Sequence, residues 1–305
     1  MSRSVIYTEL GGPEVLHIVD VEPPHPEPGQ VRVRVAAAGL NPLDAKLFRG
    51  APTASGRGAT VPAGNGNDFA GSIDEIGADV TGFELGDQVF GGLQHRAQAD
   101  FLVIDPARLA RRPDGLEVEQ AAGLDTAGRT AWATVHSQRV GPDDTVFVNS
   151  AAGGVGILTV QLARLAGATV IGSASEANHE LLRSLGVIPV EYGEGMVDAI
   201  RATAPQGVTV ALDNHGRDGV EAALALDVEP ARINSIADYA AEREYGTASI
   251  GASAAGIPEL EQLAALIASG EIVLPIDSLF PLERVVEAYT RLLGGHVQGK
   301  IVLML

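Results

Sequence analysis

The chain has 305 residues, is 46% hydrophobic, contains no cysteine, and carries 21 Lys and Arg against 39 Asp and Glu, a formal net charge of −18. That length suits two domains, and the hydrophobic content allows a sizeable core and argues against general disorder. The missing cysteines exclude disulfides, thiolate zinc ligands and a cysteine nucleophile, and the acidic balance supplies no basic surface for nucleic acid.

Lysine occurs only at Lys46 and Lys300, so each is worth asking about. No apolar run is long enough to span a bilayer, and the first fifteen residues hold no apolar signal core. A soluble, cytoplasmic protein without membrane contact is expected.

Residues 1 to about 120 read as short strands separated by Gly and Pro. Pro23, Pro24, Pro26 and Pro28 mark an extended connection. Val31–Ala37 (VRVRVAA) alternates apolar and charged residues, as a half-buried strand does. Ala70–Ile76, Gln88–Phe90 and Phe101–Ile104 are further strand candidates. The middle of the chain alternates strands and helices. The strands are Thr145–Asn149, Thr169–Ser173, Val187–Glu191 and Val208–Asp213, with weaker ones at Arg232–Ile236 and Thr247–Ile250. Helices fall at Gly154–Ala166, Ala177–Leu185, Gly195–Thr203 and Gly219–Leu226. That alternation predicts a parallel sheet with helices on both faces. The tail reads as helix Pro258–Ser269, strand Val273–Ile276, helix Leu282–Leu293 and strand Lys300–Leu305.

The segment Thr145–Ser175 is the most informative. A β-branched run breaks into Ser150, Ala151, Ala152, Gly153, Gly154, Val155 and Gly156, and an amphipathic helix and a second strand follow. This is an Ala-x-Gly-x-x-Gly variant of the dinucleotide turn, in the strand–turn–helix context that the motif requires. Small residues allow a tight turn, let the backbone approach a pyrophosphate, and bring the helix close to the strand. The amides of Ala151, Gly153, Gly154, Val155 and Gly156 are then candidates to hold the phosphates at the positive end of the helix dipole.

Taken together, several stretches resemble the medium-chain dehydrogenase/reductase superfamily, in its zinc-independent quinone oxidoreductase branch. They are GGPEVL (Gly11–Leu16), AAAGLNPLDAKLFRG (Ala36–Gly50), GNDFAGSIDEIGADVTGFELGDQVFG (Gly66–Gly91), AGRTAW (Ala127–Trp132), NSAAGGVG (Asn149–Gly156) and HVQGKIVL (His296–Leu303). The resemblance implies an α/β fold. A GroES-like catalytic domain would cover residues 1–120, a Rossmann doubly wound parallel-sheet domain 121–260, and a segment over 261–305 would return to the first. It also implies an active site in the cleft between them and a homodimer pairing sheet edges, here through Thr247–Ala252. No zinc is expected, because the thiol ligands and the four-cysteine lobe of the alcohol dehydrogenases are absent.

The resemblance places Asn41, Asp44 and Lys46 at the catalytic floor, with Asn41 and Lys46 as candidate donors to a substrate carbonyl. Helix capping for Asn41 or Asp44 and a solvated amine for Lys46 are the plain alternatives. Thr130 matches a position near the nicotinamide, Tyr192 one beside the adenosine ribose, and Asn214 one at the cofactor edge of the sheet. Lys300 is a candidate phosphate contact. Asp68 reads as a turn-stabilising carboxylate. Ser173 stands where an NAD enzyme carries an acid for the ribose, and Ser173, Ser175, Asn178 and His179 could donate to a 2′-phosphate, which favours NADPH over NADH even though Glu176 lies close by and no Lys or Arg follows before Arg183. The substrate pocket is expected near Phe48, Ile236, Tyr239 and Tyr245. The expected activity is hydride transfer from NADPH to a quinone or α,β-unsaturated carbonyl. A coenzyme-binding sensor or structural protein without catalysis, and a zinc-type alcohol dehydrogenase, are the alternatives.

Overall fold

Alternating apolar residues in the first third build antiparallel sheet, as their period dictates. The computed structural model describes residues 1–51 and 60–305. In chain order this part contains β1 (Ser2–Tyr7), β2 (His17–Val21), β3 (Val31–Gly39), α1 (Pro42–Phe48), β4 (Ala63–Gly64), β5 (Asp68–Ile76), β6 (Gln88–Gly92), β7 (Phe101–Ile104), β8 (Leu109–Arg111) and α2 (Val118–Ala122). The chain continues through α3 (Asp125–Ser137), β9 (Thr145–Asn149), α4 (Gly156–Leu165), β10 (Thr169–Ala174), α5 (His179–Ser184), β11 (Ile188–Glu191), α6 (Met196–Thr203), β12 (Val210–Asp213), α7 (Arg217–Ala225), β13 (Ile233–Ser235) and α8 (Ala241–Tyr245). It closes with α9 (Ile257–Ala268), β14 (Ile276–Pro281), α10 (Val285–Leu293) and β15 (Lys300–Met304).

Two units result. The first comprises Met1–Thr126, Ile257–Glu271 and Pro275–Leu305, and the second Ala127–Gly256 with Ile272–Leu274. In the first unit the larger sheet runs β14-β15-β3-β5-β6-β8, with β7 also paired to β3, and a smaller sheet runs β2-β1-β4. Val31, Val33 and Val35 of β3 point inward with Phe69, Ile73 and Val89. A second core gathers Val5, Tyr7, Leu40, Phe48, Leu282, Tyr289 and Ile301. Phe48 meets Tyr289 edge-on at 5.1 Å between ring centroids, the preferred arrangement for aromatic pairs.

The second unit is a five-stranded parallel sheet in the order β11-β10-β9-β12-β13. Every residue of β9 is buried, as expected for a central strand covered on both faces. The strand order reverses between β9 and β12, so the loops that follow these two strands flank the switch point where α/β sheets bind ligands.

Three expectations need correction. The strand expected at Val273–Ile276 begins only at Ile276. Gln161 explains this, because its side chain accepts from Val273 N and donates to Val273 O, both at 2.8 Å, holding residue 273 to the second unit. Thr247–Ile250 is no strand and touches β13 through a single bridge, Asn234 to Ala248. There the Asn234 side chain takes over both backbone groups of Ile250, at 2.7 and 3.0 Å, and ends the ladder. Asp68 opens strand β5, and its carboxylate does not brace a turn of its own segment but accepts from Thr126, 58 residues away.

Candidate functional site

Two groups of residues matter, one in each unit. In the first unit, Pro42 opens α1 and fixes its entry, and Asp44 three residues beyond Asn41 accepts from the Asn41 backbone N–H at 2.8 Å. Asp44 then takes two further donors from distant segments. Asn67 Nδ2 bonds its Oδ1, and the Tyr289 hydroxyl donates to Oδ2 at 3.2 Å. Tyr289 in turn accepts from Asn65 Nδ2 at 3.0 Å and Gln98 Nε2 at 2.8 Å, so its own proton is left for Asp44. Asn65 also donates to Gln98 Oε1 at 2.8 Å. Burial, with Asp68 close by, pushes the Asp44 carboxyl up to about 7, opposed by its hydrogen bonds and by Lys300. Burial also raises the Tyr289 phenol well above its usual range.

Lys300 completes this cluster. Strand β15 runs antiparallel to β3 with Val302 opposite Gly39 and Leu303 opposite Ala38, and the same register carried outward sets Lys300 against Asn41. Its Nζ donates to Asn41 Oδ1 at 2.6 Å and lies 3.8 Å from Asp68 Oδ2. Asp68 is anchored by Thr126, whose backbone N–H (3.2 Å) and hydroxyl both donate to Oδ1. Burial lowers the Lys300 ammonium from its ordinary value, against the pull of Asp68 and Asp44. Lys46 sits half-buried in the last turn of α1.

In the second unit, the turn after β9 is tight. A Cβ on Gly156 would lie 2.1 Å from Ser150 O, so only glycine lets α4 start this close to the strand. Ala151 N donates to Ser173 O at 2.8 Å, which ties the turn to β10. The backbone N–H groups of Gly154, Val155 and Gly156 have no backbone acceptor among the described residues. Below them a ladder of side chains crosses the strand ends. Ser173 Oγ accepts from Ser150 N (3.0 Å) and donates to Asn149 Oδ1 (2.6 Å). Asn149 Nδ2 donates to Asp213 Oδ1 at 2.9 Å, and Ser235 Oγ donates to Asp213 Oδ2 at 2.5 Å. Asn214 Nδ2 donates to Asn149 O at 3.1 Å, and its buried Oδ1 has no partner among the described residues.

Each expected site residue can now be placed. Asn41, Asp44 and Lys300 come together, and Lys300 is corrected from a phosphate contact to a member of the first cluster, because it is 3% exposed with its ammonium committed to Asn41. Ser173 is corrected too. It is 1% exposed and its hydroxyl is spent inside the turn, so it offers nothing to a 2′-phosphate. Ala151, Gly153, Gly154, Val155 and Gly156 form the turn. Ser175 and Asn178 follow β10, with Asn178 Nδ2 donating to Ser175 Oγ at 3.3 Å. Thr130 is buried on α3 and Tyr192 is largely exposed after β11. Phe48, near which the substrate pocket was expected, is itself a core residue with no part exposed. Asn65, Asn67, Gln98 and Tyr289 were not foreseen. The Asn-rich run 64–68 was the one local sign of them.

Among the described residues no three His, Asp or Glu side chains converge as a metal ion would need, and no helix is long and apolar enough to cross a membrane. Family profiles match residues 27–102 (alcohol dehydrogenase GroES-like domain) and 187–303 (zinc-binding dehydrogenase). A quinone oxidoreductase of Mus musculus is 30% identical over 334 residues, covering 100% of this chain and 98% of the relative. An NADPH-dependent alkenal/one oxidoreductase of Arabidopsis thaliana is 29% identical, covering 99% of this chain and 79% of that protein. The solved quinone oxidoreductase of Coxiella burnetii superposes with a TM-score of 0.89 at 28% identity, over 100% of this chain and 99% of that one. With a GroES-like β unit, a Rossmann unit and these full-length relatives, the chain belongs to the quinone oxidoreductase branch of the medium-chain dehydrogenase/reductase superfamily.

Proposed function

We propose that this oxidoreductase transfers a hydride from NADPH to a quinone or an α,β-unsaturated carbonyl compound. The observation that carries the reading is the turn Ser150–Gly156, whose uncommitted amides and cramped Gly156 fit a coenzyme diphosphate. When bound, the reduced coenzyme supplies the hydride. Two of the protein's relatives support the acceptor class by name, one a quinone and one an alkenal/one oxidoreductase. For NADPH, the support is that Ser173 and Ala174, not an acid, end β10 and that Ser175 and Asn178 follow just beyond it, set against Glu176, which lies between those two.

In this reading the protein's own task is electrostatic. Hydride addition to the β-carbon of an enone, or to a quinone, builds negative charge on the carbonyl oxygen, and a hydrogen-bond donor must meet it. Asn41 Nδ2 is that donor. A proton from water completes the reduction. A homodimer would pair two copies through residues 247–252, which lie outside β13.

The test is oxidation of NADPH and NADH with a panel of quinones and enones. Turnover with at least one acceptor is expected, faster with NADPH. Tight coenzyme binding without turnover of any acceptor would refute catalysis, and a preference for NADH would refute the coenzyme assignment. Light scattering that finds a monomer removes the dimer.

A further inference from the structure

A lysine ammonium can only donate hydrogen bonds. The Asn41 atom 2.6 Å from Lys300 Nζ is therefore its carbonyl oxygen, and the opposite amide orientation would set two donors face to face. With Oδ1 held, Nδ2 is the free end. It is buried and has no partner among the described residues. Buried donors are seldom left this way, and such an atom invites an acceptor from outside the protein.

We infer that Lys300 is a positioning residue that locks the Asn41 carboxamide with Nδ2 presented to the substrate carbonyl oxygen. This rests on the reductase reading above and deepens it.

The lock is itself held from three sides. Asp68 lies 3.8 Å from the ammonium, and Thr126 fixes Asp68 through its backbone and its hydroxyl. The aliphatic stem of Lys300 packs on Gly123, where an added Cβ would lie 3.1 Å from both Cγ and Cε. The backbone on the Asn41 side is pinned as well. Leu40 N donates to Ile301 O at 3.0 Å, and Asn41 N donates to Asp44 Oδ2 at 2.8 Å. The ammonium also polarises the carboxamide. Charge drawn toward Oδ1 makes the Nδ2 hydrogens stronger donors, as in any hydrogen-bonded chain that ends on a charge.

A lock acting only through Asn41 has a signature in a double-mutant cycle. Asn41→Ala should lower kcat about 100-fold, the usual loss for one oxyanion donor. Lys300→Met should lower kcat at least about tenfold while the Kd of the coenzyme stays unchanged. The double variant should be no slower than Asn41→Ala alone. Gly123→Ala serves if Lys300→Met does not fold. It leaves every charge in place, presses on the lysine stem, and should also lower kcat. In 15N-labelled protein, the Asn41 side-chain amide resonances should shift and broaden in the Lys300 or Gly123 variant. Multiplicative losses in the cycle overturn the inference, as does a weakened coenzyme Kd with kcat intact. Unmoved Asn41 resonances overturn the lock whatever the activity. Wild-type protein that reduces no quinone or enone instead overturns the functional reading and the target assigned to Nδ2.

Discussion

Asp44 is the residue whose replacement tests the buried cluster most directly. Its carboxyl is 1% exposed and pushed from an ordinary 3.8 up to about 7, mainly by burial. An acid whose pKa is higher in the folded state binds its proton more tightly there, so folding is favoured at low pH and loses ground as pH rises from about 4 through about 7. At 1.36 kcal/mol per unit, the cost of ionising this group between pH 5 and pH 8 is on the order of 3 kcal/mol. Asp44→Asn removes that cost. The amide oxygen still accepts from Asn41 N and Tyr289, and its NH2 faces Asn67, whose own carboxamide can turn to accept it. Wild type should therefore lose about 3 kcal/mol of stability relative to the variant between pH 5 and pH 8. Denaturant unfolding across that range checks it, with hydrogen exchange of the peptides covering α1 and β15 reporting on the first unit. Parallel pH profiles for the two proteins would show that Asp44 ionises as readily folded as unfolded, and the argument from burial would fail.

Other outcomes are equally specific. Gly156→Ala forces a Cβ to 2.1 Å from Ser150 O, so the turn must open and coenzyme Kd should rise at least about tenfold by calorimetry, at a stability cost of about 1–3 kcal/mol. Ser173→Ala deletes two bonds inside the turn and should weaken NADPH and NADH equally, whereas a loss confined to NADPH would restore Ser173 to the 2′-phosphate. Phe48→Ala empties a core site between Tyr7 and Tyr289 and should cost about 3–5 kcal/mol in thermal or denaturant unfolding.

The Rossmann unit was legible because its signals are local. A buried strand, a small-residue turn and an amphipathic helix lie within thirty residues, and their order alone implies a parallel sheet. The buried cluster was not legible, for the opposite reason. Asn65, Gln98 and Tyr289 are brought together from positions 33 to 224 residues apart, and nothing near any of them announces the others. Tyr289 on an amphipathic helix reads as an ordinary core aromatic. Lys300 was misplaced because a lone lysine at a strand start looks like a surface cation. The β15–β3 register sets it inside against Asn41, and register is a tertiary fact. Ser173 failed in a similar way. Its position at the strand end was right, but Asn149 and Ser150 compete for its hydroxyl, and no pattern in the sequence discloses that competition.

Buried polar groups of the described residues fall into two kinds, those that satisfy one another and those left unpaired. Across the strand ends of the second unit, Ser173, Asn149, Asp213 and Ser235 satisfy one another and leave the turn rigid. Asp213 Oδ1 alone takes three donors, from Asn149, His215 N and Gly216 N. A network so fully paired has no capacity left for a ligand, and its contribution is to hold backbone amides in place. Unpaired atoms occur in both units. Among the described residues Asn41 Nδ2 is a donor with nothing to donate to, and Asn214 Oδ1 is an acceptor with nothing to accept. In both residues the opposite end of the amide is clamped, by Lys300 in one and by the Asn149 carbonyl in the other, so neither can turn to relieve itself. A buried group clamped at one end and unsatisfied at the other raises the energy of the ligand-free protein. In the proposed reading a complementary ligand atom would recover that cost, which is what a preorganised donor needs.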